Sequence, residues 1–584
     1  MASVLCPHSR RCPGCPLIEL AYPAQLVQKR ATLARALGHY RALGDVPLDA
    51  TTPAEPITGY RIRVKLVAHR RALGLFARGT HEVVDIPECR VQRPRVLAVT
   101  AALRRSLPLL EAVSAFDVRE ADAGVLVTAA VGPRVPPAER QALAERILAL
   151  EPSIAGVAVS TRERDAPQLL GKGLAVLVGP SELRHQPDPD APFHYAAHGA
   201  FTQAHPGQLS RLHAALEAEL PEAAPSSAPR DSMPTVLELY AGSGALSLRL
   251  AARGFAVTLV EGFAPAVRMA ERAATEQGLP ITAITADAER ALAELSQRGL
   301  RFETVIVNPP RRGLTPEVRR LLAVLRPDRA LYVSCAPETF ARDAAHLALL
   351  GLTLRRVTPF DMIPLSDAVE ALAVLEPGPP PAPRVLAESA TFLVVEKEPH
   401  EPVTPEDGTP GSLVERVRTL PNAADAVAVD LLAADASGAC LFARHPEHAR
   451  ALGDALTRGR AETVALVRGV IRASSKLPER PELGKSARYE RLEEGLRHSL
   501  VLVLAPPGAY GDALSALASF RHPVLGDARQ GDRNANLHFG LKHGLDRSFW
   551  HRRRLSLELE GKPLCVESAL APDLEAVLES VTRG

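Results

Sequence analysis

The run from Thr235 to Ala251 reads as an apolar strand, Val236-Leu237-Glu238-Leu239, then the turn Ala241-Gly242-Ser243-Gly244-Ala245, then a helix. Glycines where a strand turns into a helix let a ligand approach the backbone, as in Rossmann-type nucleotide sites. A second apolar strand, Val257 to Val260, ends on Glu261. That is about 20 residues after the glycines, where a carboxylate can accept both ribose hydroxyls. Asp287 follows another short strand, and Thr304 to Val307 delivers Asn308-Pro309-Pro310-Arg311-Arg312-Gly313. The middle of the chain is thereby constrained to an α/β nucleotide-binding domain, with the nucleotide left open.

The thiols fall into two kinds. Cys6, Cys12 and Cys15 lie at short spacing, with Cys89 beyond them, and soft thiolates so gathered suit iron–sulfur or zinc. Cys335 instead ends the strand Leu331-Tyr332-Val333-Ser334. A cysteine at the carboxyl end of a strand, beside a nucleotide crevice, is placed for covalent catalysis; the plain alternative is a buried structural thiol. Cys440 and Cys565 have no partner pattern. Met1 to Arg11 carries arginines and no apolar core, so neither a secretory nor a transit segment is expected, and disulfides are not expected either. No apolar run approaches the roughly 18 residues of a spanning helix. The expectation is a soluble, cytoplasmic chain with no membrane partner.

With 584 residues the chain should form several domains. Two stretches look like boundaries: Pro221 to Pro234, and the Pro-rich spacer Glu376 to Arg384, of the semi-rigid kind that joins independently folded units. Net charge is only +2, so a nucleic-acid surface must be a local patch. Tyr60 to Leu66 alternates basic and apolar residues, putting Arg61, Arg63 and Lys65 on one face of a strand, as a phosphate contact or as a solvated face.

The order of elements resembles a class I S-adenosylmethionine methyltransferase, and the motifs together resemble the RNA uracil-5-methyltransferases that carry a four-cysteine cluster. The matching pieces are Cys6, Cys12, Cys15 and Cys89; Phe201-Thr202-Gln203; Leu239-Tyr240 with the glycine turn; Glu261; Asn308-Pro-Pro-Arg-Arg-Gly; Ser334-Cys335; and Asp361-Met-Ile-Pro followed by Val369-Glu370. They run in family order from residue 1 to about 375. The cluster begins without a preceding small β-barrel, like the short ribosomal-RNA members. The resemblance implies a Cys335 thiolate adding to carbon 6 of uracil, Glu370 as the base that removes the carbon-5 proton, and S-adenosylmethionine contacts from Gln203, Tyr240, Glu261 and Asn308. It implies a 4Fe-4S cluster on the four cysteines, in a structural or RNA-orienting role; zinc is the competing metal. Departures are Ala336 for the usual Asn, Ala241 for Cys, Ala245 for Asn, and Asp367-Ala368 without the His often seen before the base. None removes the nucleophile or the proton acceptor.

Beyond the spacer, Phe392 to Lys397, Ala436-Ser437-Gly438 through Ala443, Ala465 to Gly469 and His522-Pro-Val-Leu-Gly-Asp527 resemble a pseudouridine synthase of the large ribosomal-RNA type. The catalytic positions are lost. Where that family has His-Arg-Leu-Asp this chain reads Asp430-Leu431-Leu432-Ala433, its active-site Tyr aligns with Thr463, and its basic residue with Leu514. Asp430 and Asp435 flank the missing carboxylate, but the register fixed by Ser437-Gly438 argues against a substitute. Arg552-Arg553-Arg554 is a candidate phosphate contact or a solvated edge.

The expected architecture is an iron–sulfur region with the basic strand (1–90), a small central α+β RNA-binding subdomain (91–200), an α/β Rossmann-like class I methyltransferase domain (201–376), a linker (377–383) and an inactive α+β pseudouridine-synthase-like domain (384–584). The expected function is S-adenosylmethionine-dependent methylation of carbon 5 of a uridine in RNA, ribosomal first and transfer RNA second, with no DNA partner. The target base would have to leave its stack to reach Cys335. The alternatives are a bifunctional methyltransferase and pseudouridine synthase, which Ala433 opposes, and a non-catalytic RNA-binding or ribosome-assembly protein, which Cys335 and Glu370 oppose.

Overall fold

A computed structural model describes residues 3–163, 166, 168–225, 229–406 and 409–583. Ser226, Ser227 and Ala228 of the expected boundary at 221–234, and Met1 at the head of the chain, lie outside the described residues. Among the described residues the strands form a seven-stranded sheet over 63–178, a second over 235–377, a ten-stranded sheet over 385–567 and a two-stranded ribbon. No helix among them is long and apolar enough to cross a membrane.

The second sheet holds the nucleotide-site motifs. Its strands are β1 (Thr235–Leu239), β2 (Ala256–Glu261), β3 (Ile281–Thr285), β4 (Thr304–Val307), β5 (Arg329–Ser334), β6 (Leu352–Phe360) and β7 (Glu370–Pro377). Their order is β3-β2-β1-β4-β5-β7-β6. The first five are parallel, and β7 runs antiparallel between β5 and β6. This is the class I methyltransferase fold. A parallel strand covered on both faces reads as a continuous apolar run, and every residue of β4, Thr-Val-Ile-Val, is buried. Alternate side chains serve opposite faces: Leu237, Val305 and Val307 join one core with Leu33, Leu322 and Phe340, while Val236, Ile306 and Leu331 join the other. The order reverses between β1 and β4, so the crevice opens at their carboxyl ends.

Four helices matter for the site: α1 (Tyr22–Gly38), α2 (Ala245–Ala252), α3 (Pro316–Leu325) and α4 (Pro337–Leu349). The Thr315 hydroxyl accepts from Val318 N at 3.3 Å, with Pro316 in the first turn of α3. Pro337 likewise opens α4 directly after Cys335-Ala336, where its missing N–H costs nothing.

The first sheet takes strands from both sides of residue 90. Its strand Arg63–His69 pairs with Val113–Ala121 so that Lys65 faces Asp117. Asp117 accepts two hydrogen bonds from Arg63, at 2.9 and 2.8 Å. The continuous basic face expected from Arg61, Arg63 and Lys65 is therefore interrupted. Arg61 precedes the strand, in an isolated bridge to Gln92, and Arg63 is neutralised by a buried carboxylate. In the ten-stranded sheet the basic triplet is likewise absorbed. Arg552 is buried in an ion pair with Asp430 and donates to the carbonyls of Ala439 and Pro507, while Arg553 and Arg554 pair with Glu462. Arg552 is thus not available to a phosphate.

Candidate active site

The turn after β1 takes its shape from three left-handed residues, Tyr240 (φ 62°), Gly242 (φ 58°) and Gly244 (φ 75°). A side chain at Gly244 would put Cβ 2.8 Å from Ala270 Cβ, so glycine there lets α2 pack close. Glu261, at the end of β2, accepts from Gly242 N at 3.0 Å and from Phe263 N at 2.8 Å. The carboxylate is thereby oriented at the crevice. A cavity of about 100 Å³ lies against this turn, lined among others by Gln203, Tyr240, Gly242 and Asn308. Three of the four residues expected to contact the cofactor thus share one cavity wall, and Glu261 holds the adjoining turn. Beneath it, buried Glu238 is hydrogen-bonded to Ser247, and burial raises its carboxyl to about 7.

Cys335 and Glu370 meet through strand register. Ser334 of β5 faces Ala371 of β7, and the next residues on the two antiparallel strands are Cys335 and Glu370. Burial pushes the Glu370 carboxyl up to about 7, against a hydrogen bond to Gln203 and the charge of Arg311. The Cys335 thiol is raised above its ordinary value, first by burial and then by Glu370; Arg311 lowers it, through both its charge and a hydrogen bond. Two contacts here escaped sequence reasoning. Gln203 lines the cavity beside the glycine turn and also acts on the Glu370 carboxyl, and the charge of Arg311 acts on Cys335. The available signal for Arg311 was its place directly after the two prolines of the Asn308 motif.

The approach to Glu370 is anchored from the N-terminal helix. Lys29 of α1 pairs with Asp361, both with fully buried side chains, and donates to Ile363 O at 3.0 Å. Tyr22 OH donates to the other Asp361 oxygen at 2.8 Å, and Gln208 donates to Asp361 O at 2.9 Å. The segment from Asp361 to Glu370 is thus fixed at its start by α1 and at its end by β7.

Cys6, Cys12, Cys15 and Cys89 lie in one neighbourhood. Cys12 and Cys89 pack on the core of the first sheet, and Cys6, Cys15 and Cys89 pack around Ile18, Tyr60 and Val91. The Cys15 thiol is pushed up to about 12 by burial and by the charges of Cys89, Cys12 and Cys6; Cys12 is raised for the same kinds of reason. Among the described residues no group of three or more His, Cys, Asp or Glu is disposed to hold a metal ion.

The model of a family described as tRNA (Uracil-5-)-methyltransferase matches residues 223–377. The chain is 28% identical over 394 residues to an uncharacterized RNA methyltransferase of Geobacter sulfurreducens, covering 64% of this chain and 77% of that protein. It is 31% identical over 385 residues to the 23S rRNA (uracil(1939)-C(5))-methyltransferase RlmD of Pseudomonas aeruginosa, covering 64% of this chain and 80% of the other. Among solved structures, the Pyrococcus abyssi tRNA (uracil-54, C5)-methyltransferase in complex with S-adenosyl-L-homocysteine superposes with a TM-score of 0.51 at 25% identity, over 63% of this chain and 86% of that one. On the identity to the Pseudomonas enzyme and the share of it that is covered, the chain belongs to the RNA uracil-5-methyltransferase family.

Proposed function

We propose that this enzyme transfers a methyl group from S-adenosylmethionine to carbon 5 of a uridine in ribosomal RNA, with Cys335 as nucleophile and Glu370 as proton acceptor. The observation that carries the reading is the Cys335, Glu370 and Arg311 cluster at the end of β5, next to the cavity lined by Gln203, Tyr240 and Asn308. The likeness to the Pseudomonas ribosomal-RNA enzyme favours ribosomal over transfer RNA.

The cavity wall and the turn beside it fit the cofactor: a glycine turn for close approach, Asn308 at the switch point, and, outside the lining, Glu261 oriented by Gly242 N for ribose hydroxyls. When bound, S-adenosylmethionine supplies an electrophilic methyl group. Cys335, as thiolate, adds to carbon 6 of the base, which makes carbon 5 nucleophilic. Arg311 favours the thiolate by its charge, against the rise that burial and Glu370 impose. After methylation Glu370 takes the carbon-5 proton, and the carbon–sulfur bond breaks to return the thiolate. A carboxyl titrating at about 7 is matched to that exchange at neutral pH.

The four N-terminal thiols supply the donor types of a 4Fe-4S cluster, although among the described residues they do not stand at metal-holding geometry. Thiolates crowded into a half-buried site repel one another, and a cationic centre relieves that repulsion. Cys6, Cys12, Cys15 and Cys89 would hold it, away from the chemistry of methyl transfer. Residues 384–584 are read as a pseudouridine-synthase-like domain without that activity. Ala433 supplies no carboxylate, Asp430 is paired with Arg552, and Asp435 accepts from Tyr510 at 2.9 Å and Ser548 at 2.5 Å.

The test is anaerobic incubation with labelled S-adenosylmethionine and unmodified ribosomal or transfer RNA, followed by nucleoside mass spectrometry. 5-Methyluridine that vanishes in Cys335→Ala supports the reading. RNA binding without methyluridine replaces it with a vestigial binding protein, and new pseudouridine overturns the assignment of the C-terminal region.

A further inference from the structure

A polar cluster joins α3 and α4 of the methyltransferase sheet to the C-terminal region. Arg342 of α4 spans the two sides with one guanidinium. Its Nη2 donates to Arg312 O at 3.0 Å and to Leu314 O at 3.5 Å, while its Nη1 donates to Gly544 O at 3.2 Å and lies 3.4 Å from Asp546 Oδ2. The same Asp546 oxygen accepts from Arg319 of α3 at 2.7 Å, and its other oxygen is 3.2 Å from His400 Nε2. Asp343, next along α4, accepts from Leu314 N at 2.6 Å and Tyr332 OH at 2.8 Å and lies 3.4 Å from Arg319. Thr339 adds a hydrogen bond to Arg311 O at 2.9 Å.

Two features give the cluster a direction. The turn it grips, Arg311 to Leu314, follows the Asn308-Pro-Pro motif and carries the guanidinium whose charge acts on the Cys335 thiol. Gly313 is pressed into the cluster, where a Cβ would lie 2.4 Å from Asp343 Oδ2 and 2.9 Å from Arg342 Nη2. The charge count is also balanced: Arg319 and Arg342 against Asp343 and Asp546, with side-chain exposures of 0, 8, 0 and 17%. Of these four charges only Asp546 comes from the C-terminal region. Without it, two guanidiniums share one carboxylate in a site sheltered from water, and one buried charge is left uncompensated. The guanidinium is a rigid planar fork, so its donors to Arg312 O and Leu314 O and its donor to Gly544 O keep fixed relative positions.

We propose that the C-terminal region acts in cis on the methyltransferase site, with Asp546 as a positioning residue that, through Arg342, holds the Arg311 turn against Cys335. This rests on Cys335 as the nucleophile, and it gives the C-terminal region a role that needs no pseudouridine chemistry and no RNA contact.

The test uses the full-length protein with Asp546→Asn and the charge-retaining Asp546→Glu, beside Arg311→Gln. Alkylation of Cys335 by iodoacetamide is followed against pH by mass spectrometry of the Cys335 peptide. The charged groups acting on that thiol are Glu370 and Arg311. Asp546→Asn should move the alkylation midpoint up by about one pH unit, in the direction of Arg311→Gln, and lower kcat for methylation roughly tenfold or more with KM for RNA little changed. Asp546→Glu should fall between it and the wild type, and it carries the test if the Asn variant does not fold. Wild-type midpoint and kcat in the variant that folds would overturn the proposal, as would a rise in KM alone, which would mark the C-terminal region as an RNA-binding surface. A wild-type protein that does not methylate RNA would instead sink the functional reading and leave the alkylation test standing.

Discussion

Ser334 and Ala371 face each other across the antiparallel β5 and β7 ladder, and the residues just beyond them, Cys335 and Glu370, are thereby set side by side at the crevice mouth. Neither residue needs a specialised loop to find the other. The register of two buried strands does it, and a slip of one residue would turn the slipped strand's side chains to the wrong face. The same burial that fixes the register raises both acids.

The first prediction concerns Glu370. Its folded-state carboxyl titrates at about 7 against 4.5 for the free group. Methyl transfer should therefore fall as pH drops below about 7. Glu370→Gln should leave the RNA covalently held on Cys335, as a complex that survives denaturation, with turnover reduced about a hundredfold or more. Because the native state holds its proton over the window from 4.5 to about 7 while the unfolded chain does not, stability is lost as pH rises through that window. At pH 8 the Gln variant should accordingly be more stable by about 3 kcal/mol in urea unfolding. Wild-type turnover in this variant would remove Glu370 from the reaction.

Arg311 provides the second prediction. It is the cation that favours the Cys335 thiolate, so Arg311→Gln should slow methylation at pH 7 roughly tenfold or more, and raising the pH should recover part of the rate. Arg311→Lys keeps the charge but loses the planar fork, and it should fall between. A uniform loss at every pH would mean that Arg311 binds RNA and does not tune the thiol.

How much of this was legible in the sequence follows from the range of each interaction. The glycine turn, Glu261 and the strands ending on Asn308 and Cys335 are local patterns, and the strands appear where the apolar runs predict them. The contact of Gln203 with Glu370, the hold of Arg342 on both Arg312 and Gly544, and the pairing of Arg63 with Asp117 join residues far apart in the chain. No periodicity carries them. The basic triplet was legible only in part for the complementary reason: the strand buries Arg552 against Asp430, while Arg553 and Arg554 stay partly exposed beside Glu462.

Lys29 yields a third prediction. The Lys29 and Asp361 pair is wholly buried, and Asp361 also takes the Tyr22 hydroxyl. Lys29→Met leaves that carboxylate without its counter-charge, which should cost about 3–5 kcal/mol. Pairing it with Asp361→Leu should recover a large part of the loss in urea unfolding, since replacing both charges removes the unpaired group. Activity should not recover with stability, because the start of the segment leading to Glu370 would have lost its anchor. Full activity in the double variant would show that α1 serves folding alone.

The four N-terminal thiols give the last prediction. Burial and mutual repulsion raise Cys12 and Cys15, Cys15 to about 12, so in the absence of a cationic centre they stay protonated at neutral pH. Protein purified without oxygen should carry iron and acid-labile sulfide in equal amounts, with a broad visible absorbance lost on exposure to oxygen or chelator. Cys12→Ser and Cys89→Ser should each lose it, whereas Cys440→Ser and Cys565→Ser should not. Cys89 packs with both halves of the thiol group, against the first-sheet core and beside Cys6 and Cys15. Its substitution should therefore also lower thermal stability more than that of exposed Cys565. Zinc without sulfide would reassign the site to a tetrahedral structural ion. No metal in freshly purified anaerobic protein would reduce the four cysteines to packing residues.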